Sequence, residues 1–126
     1  MISWLTNKYD LKVPIIVTEN GVGDRGQLED YDRVSYFNEY LHELLLSIHE
    51  DGSNVKGYFA WSLMDNFEWE DGYREKFGLY QVDFSSPNRT RTPKLSAKNF
   101  NNIIRTRTVD FDYLKSPTDH HSFLDC

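Results

Sequence analysis

Val13-Pro14-Ile15-Ile16-Val17-Thr18-Glu19-Asn20-Gly21 is the stretch on which the fold turns. Pro14 can open a strand but cannot donate a hydrogen bond inside one, and the β-branched run Ile15, Ile16 and Val17 reads as a short strand buried on both faces of a parallel sheet. Thr18, Glu19 and Asn20 are polar, and Gly21 permits a turn. The pattern is a strand that ends by presenting a carboxylate at its carboxyl end, where parallel α/β folds place their chemistry. Taken alone, an acid at a strand end is also ordinary turn chemistry.

Outward from this strand, Ile2–Tyr9 reads as the end of a helix with Ile2, Leu5 and Trp4 inward. Downstream, Gly21, Gly23 and Gly26 with Asp24 and Arg25 predict a loop, after which Val34, Phe37, Leu41, Leu44, Leu45 and Ile48 recur at helical spacing. Glu29, Asp30 and Asp32 suit the amino end of that helix through its dipole, and Gly52 is placed to close it. His42 and His49 lie on it without a second ligand at a supporting spacing, and neither is assigned a function.

Val55 to Met64 reads as a second buried strand, with Gly57 allowing close approach. A strand, a helix and a strand make a βαβ unit, so the two strands are expected to be parallel with their carboxyl ends together. Glu19 and the residues after Trp61 then share one face.

The segment on that face, Trp61-Ser62-Leu63-Met64-Asp65-Asn66-Phe67-Glu68-Trp69-Glu70-Asp71-Gly72-Tyr73, holds two tryptophans, two other aromatics and four acids. Aromatic faces stack on the C–H faces of a pyranose, and carboxylates and indole N–H groups hydrogen-bond its hydroxyls. On the residues alone, a sugar site and a loop anchored by Phe67 and Trp69 with solvated acids stand level.

Both stretches resemble motifs of glycoside hydrolase family 1, the family of the β-glucosidases. Val17-Thr18-Glu19-Asn20-Gly21 resembles its nucleophile motif. The segment from Trp61, with Gly72-Tyr73 and the Lys76-Phe77-Gly78-Leu79 leading to Val82-Asp83, resembles its eighth-strand signature. Two long motifs in the right order are specific. The likeness runs from about Ile2 to Ile104. It implies an α/β fold, the carboxyl-terminal part of a (β/α)8 TIM barrel, with Pro14 to Thr18 as the seventh strand and Gly57 to Ser62 as the eighth. Such a piece is incomplete on its own.

By the same resemblance Glu19 is the nucleophile, Trp61 the platform under the sugar, and Glu68 the acceptor from its 4- and 6-hydroxyls. Trp69 is the donor near the 3-hydroxyl, and Phe77 helps wall the site. The implied activity is retaining hydrolysis of a β-glucoside or related small glycoside, with no metal or organic cofactor. Tyr40 stands where many relatives carry histidine, and Lys76 where arginine is common; both changes read as tolerable. Retaining hydrolysis also needs a second carboxyl group about 5 to 5.5 Å from the nucleophile. The family's Thr-x-Asn-Glu-Pro motif that supplies this acid/base is not in the chain; Asn38-Glu39 lacks the proline and falls in mid-helix. Cleavage of thioglucosides, as in myrosinases, and a non-catalytic sugar-binding, receptor-like or inactive truncated relative remain as alternatives, the presence of Glu19 favouring an enzyme.

Size agrees with a part rather than a whole. The chain has 126 residues, 39% of them hydrophobic and 15% aromatic, against the roughly 250 of a full eight-unit barrel. Fourteen Lys+Arg against 20 Asp+Glu, a net charge of −6, disfavours nucleic acid and anionic membrane surfaces. No stretch is apolar for long enough to span a membrane, and the start does not read as a secretory signal. The lone cysteine, Cys126, excludes a disulfide within the chain and a thiolate cluster. Asn88-Arg89-Thr90 would accept an N-glycan on a secreted protein, and localisation otherwise stays open. Phe77 to Phe84 alternates as a strand, Thr92 and Pro93 are placed to start a last helix, and Leu95, Phe100, Ile103 and Ile104 give it a stripe. The glycosidase part is bounded at 1–105. Residues 106–126, with Ser116-Pro117-Thr118 and His120-His121, read as a polar, disordered tail in which two adjacent histidines do not suffice for a metal.

Overall fold

In a computed structural model describing residues 1–10 and 12–114, the elements are α1 (Ile2–Tyr9), β1 (Ile15–Asn20), α2 (Tyr31–His49), β2 (Val55–Ala60), a short 3-10 turn (Trp69–Asp71), β3 (Tyr80–Val82), β4 (Arg91–Pro93) and α3 (Leu95–Thr106). β1 and β2 pair in parallel across the α2 connection, as the βαβ pattern requires, so their carboxyl ends lie together. β3 and β4 form a separate antiparallel hairpin.

β1 begins at Ile15, after an exposed Val13 and Pro14, and it is not buried on both faces. Ile16 is 55% exposed and Phe59 60% exposed, whereas Val17 and its partner Tyr58 are partly covered. On one side Asn20 and Tyr58 meet Tyr36 of α2 and Phe100 of α3, and on the other Ile16 and Phe59 are exposed. Apolar residues on that bare side are what a purely local reading takes for a doubly buried strand.

β2 stops at Ala60, short of the expected Met64. The chain leaves the strand at Trp61, whose bond to Ser62 is cis. Residues 62–65 then run beside 77–80: the Ser62 amide donates to Phe77 (2.9 Å), Leu79 to Ser62 (2.8 Å) and Asp65 to Tyr80 (3.0 Å). This irregular pairing also explains why only Tyr80–Val82 of the expected Phe77–Phe84 strand is regular.

Thr92 and Pro93 belong to β4, because Thr92 pairs with Gln81 and Pro93 with Tyr80, and the helix begins one residue after Lys94. Its amino end is capped from outside. Asp30, at the start of α2, accepts the Ser96 amide at 2.8 Å and the Ser96 hydroxyl at 2.6 Å. Trp4, Leu45 and Ile104, expected inward, are exposed. The buried residues of α3 are Ser96, Asn99 and Asn102, and Asn99 donates to Asn38 of α2 at 2.8 Å, so this helix contact is stitched by amides.

The apolar core is small: Val34, Phe37, Leu79 and Val82, with Phe37 edge-on to Phe100 at 5.4 Å between ring centres. Past α2, Gly52 turns the chain at φ +68°. His42 is exposed and its ring meets Phe111 at 5.5 Å, while Asp110 offers its carbonyl to Asn38 at 3.4 Å, so part of the expected tail lies along α2. Ser116-Pro117-Thr118, His120-His121 and Cys126 fall outside the described residues.

Candidate active site

The end of β1 is irregular where Glu19 sits. Val17 pairs with Tyr58 and Asn20 with Ala60, so three steps on β1 face two on β2. An extra residue of this kind is a β-bulge, which re-aims side chains. Without it, Glu19 would follow Ile15 and Val17 onto the helix side. Instead Thr18 and Glu19 are both exposed, and Asn20 takes the helix side. The Asn20 amide donates to the Tyr36 hydroxyl of α2 at 3.0 Å and accepts from the Tyr58 hydroxyl of β2 at 2.6 Å. Burial pushes both phenols above their usual range, Tyr58 the more strongly, so Tyr58 stays a donor.

The neighbouring strand end meets this one closely. The Trp61 amide donates to the Asn20 carbonyl at 2.8 Å, and a Cβ at Gly21 would fall 1.7 Å from the Trp61 carbonyl oxygen. Only glycine permits that approach. Glu19 and Trp61 are therefore held on adjoining strand ends. Phe77 joins them through the Ser62–Phe77 backbone bond, and its ring lies about 3.1 Å from where a Cβ on Gly23 would be.

Glu68 and Trp69 stand farther along the same loop. The Glu68 amide donates to Gly72 at 2.6 Å and its carbonyl accepts from Asp71 at 2.9 Å, a tight turn in which Trp69 adopts φ +46° and is 81% exposed. Phe67, Tyr73 and Phe84 brace it, with ring centres 5.6 Å and 4.4 Å apart along the series. One oxygen of Glu68, Oε1, is shielded and has no hydrogen-bond partner among the described residues. A carboxylate oxygen so placed is an unsatisfied acceptor.

Behind the site lies a cluster that sequence reasoning missed. Arg33 of α2 pairs with Asp30 at 2.7 Å and Asp24 at 2.6 Å, and donates to the carbonyls of Val22 (3.1 Å) and Gly78 (3.0 Å) and to that of Lys76. Lys94 reaches Asp65 at 3.2 Å and Asp24 at 3.4 Å. Burial pushes the Asp30 carboxyl up, against the pull of its bonds to Ser96 and the charges of Arg33 and Lys94. Asp65, grouped by sequence with the loop acids, is thus interior. The available signal was an arginine next to Val34 on the α2 stripe and a lysine between Pro93 and Leu95 just before α3, which is weak.

Among the described residues no group of three or more His, Cys, Asp or Glu is arranged to hold a metal, and no helix is long and apolar enough to cross a membrane.

Comparison with known proteins gives the family of the chain. The sequence model of glycosyl hydrolase family 1 matches residues 1–109. Myrosinase 1 of Brevicoryne brassicae is 46% identical over 106 residues, 84% of this chain and 23% of that protein. The lactase/phlorizin hydrolase of Homo sapiens is 47% identical over 105 residues, 82% of this chain and 5% of that protein. Among solved structures, aphid myrosinase superposes with a TM-score of 0.80 at 46% identity, over 82% of this chain and 22% of its own. The GH1 β-glucosidase from the fungus Humicola insolens, in complex with glucose, gives a TM-score of 0.77 at 42% identity, over 83% of this chain and 23% of its own. The chain spans about a quarter or less of the length of these proteins.

Proposed function

The chain belongs to glycosyl hydrolase family 1, and we propose that it forms the seventh and eighth βα units of a retaining β-glucosidase barrel, supplying the nucleophile and the residues that read the sugar. Part of such a barrel is the fold that its structural neighbours share. The single observation that carries the reading is the bulge that turns Glu19 out at the carboxyl end of β1, beside Trp61.

In this account a β-glucoside lies against the indole of Trp61 with its anomeric carbon over Glu19. Glu19 attacks that carbon while an acid from another part of the barrel protonates the leaving oxygen; water then cleaves the glycosyl-enzyme with the same group acting as base. Glu68 accepts hydrogen bonds from the 4- and 6-hydroxyls through its carboxylate. The indole N–H of Trp69 donates near the 3-hydroxyl, and Phe77 closes one wall. None of these steps calls for a metal or an organic cofactor. Thioglucoside cleavage is the second reading, favoured by the similarity to Myrosinase 1. It uses the same Glu19.

The test is a hybrid barrel in which residues 1–109 of this chain replace the matching segment of the Humicola insolens β-glucosidase. Glu19→Gln in the hybrid should abolish hydrolysis of an aryl β-glucoside while glucose binding persists. Retained turnover would overturn the reading.

A further inference from the structure

Lys94 is wholly buried, at 0% exposure, and so is the Asp65 side chain it pairs with. The two are held by their own backbones and neighbours as well. The Lys94 amide donates to the Leu79 carbonyl at 2.9 Å, and Asp65 accepts the amides of Gly78 at 2.9 Å and Val82 at 3.3 Å. The ammonium has a second carboxylate, Asp24, whose backbone exchanges two 3.0 Å hydrogen bonds with Lys76.

These two carboxylates belong to different loops. Asp24 follows the strand that presents Glu19, whereas Asp65 lies between Trp61 and Glu68. One ammonium therefore ties the loop after the first strand end to the loop after the second. A buried ion pair is a weak source of stability, since apolar replacements often do as well, but it is directional: the charge must sit where both carboxylates are. Arg33 sustains the arrangement by pairing with Asp24 from the other side.

We infer that Lys94 is a positioning residue, clamped between Asp24 and Asp65 so that the loop carrying Glu68 and Trp69 is fixed relative to the strand end carrying Glu19. It touches no substrate. The inference rests on the sugar-reading assignment of Glu68 and Trp69.

The hybrid barrel tests it with the double variant Lys94→Met/Asp65→Asn, which removes both charges and leaves Asp24 paired with Arg33, and with Lys94→Arg, which keeps the charge. Competent sites are counted by covalent labelling with a fluoro-glucoside. Values of kcat and KM per labelled site are then measured on an aryl glucoside and on its 6-deoxy analogue. A misplaced sugar-reading loop should cost the double variant about 10- to 100-fold in kcat/KM on the glucoside and much less on the analogue, with Lys94→Arg recovering part of the preference. Unchanged constants per site and unchanged preference, with only a lower thermal midpoint, would overturn the inference and leave Lys94 a stabilising residue. If the double variant does not fold, Lys94→Gln, which removes the ammonium and keeps a hydrogen-bond donor for Asp65, decides: a shifted preference per labelled site supports positioning and an unshifted one overturns it. Glu68→Ala separates the two levels. Should it leave the preference unchanged, the sugar-reading assignment falls and this inference with it. Should it alter the preference while the Lys94 variants do not, only the positioning role falls.

Discussion

Gly21 and Trp61 approach so closely that a Cβ on the glycine would sit 1.7 Å from the tryptophan's carbonyl oxygen. That contact is backbone against backbone, with no flexible group to give way, and it joins the end that presents Glu19 to the one that presents Trp61. Gly21→Ala should therefore separate the strand ends at a cost of about 1 to 3 kcal/mol or more. Calorimetry and glucoside turnover of the hybrid barrel check this. A stable variant with normal turnover would show that the two ends are not held in register by this contact.

Alkaline stability tests the anchor behind Glu19. An unfolded tyrosine ionises near pH 10, whereas burial, with Tyr36 and Tyr40 nearby, holds the Tyr58 proton to higher pH. The folded state then keeps a proton that the unfolded state has lost. The stabilisation is fully present below about pH 10 and falls away as pH rises toward the folded pKa. Tyr58→Phe should flatten that alkaline decline in thermal midpoint while weakening the hold on Asn20. An equally steep decline in the variant would contradict the assignment.

The strand, helix, strand order was legible because Pro14, the Ile15-Ile16-Val17 run, the α2 stripe and the apolar run after Val55 are local signals. The bulge at Thr18–Glu19 was not, since it exists only in the register against Tyr58 and Ala60. Nor was the charge cluster: Asp24, Arg33, Asp65 and Lys94 meet across as many as 70 residues of sequence, and each alone reads as a surface residue. Pro93 looked like a helix start because its pairing with Tyr80 depends on a distant strand. The site residues were named by resemblance, and the structure puts Glu19, Trp61 and Phe77 on neighbouring segments with Glu68 and Trp69 farther along the loop.

Glu68 should matter to the identity of the sugar more than to bond cleavage. Glu68→Ala removes a charge-assisted acceptor worth about 1.5 to 3 kcal/mol, and the loss should appear on glucosides and shrink on 6-deoxyglucosides. Kinetics of the hybrid barrel on the pair give the answer. Equal losses on both substrates would argue against a sugar-reading role.

The 126-residue chain expressed alone should self-associate and show no glycosidase turnover. Both outer edges of the β1–β2 pair are unpartnered among the described residues, and Ile16 and Phe59 leave an apolar face bare. General acid catalysis, which this account assigns to another part of the barrel, is worth about 10²- to 10⁴-fold in rate. Light scattering and an aryl β-glucoside assay test both points. A monomer with clear turnover would require an acid/base among Glu68, Glu70 and Asp71.

The most direct measurement is to trap the covalent intermediate. A fluoro-glucoside with a good leaving group, incubated with the hybrid barrel and followed by peptide mass spectrometry, should place one glycosyl group on Glu19. Glu19→Gln should take up none. A glycosyl group on any other carboxylate, with Glu19 unmodified, would contradict the account.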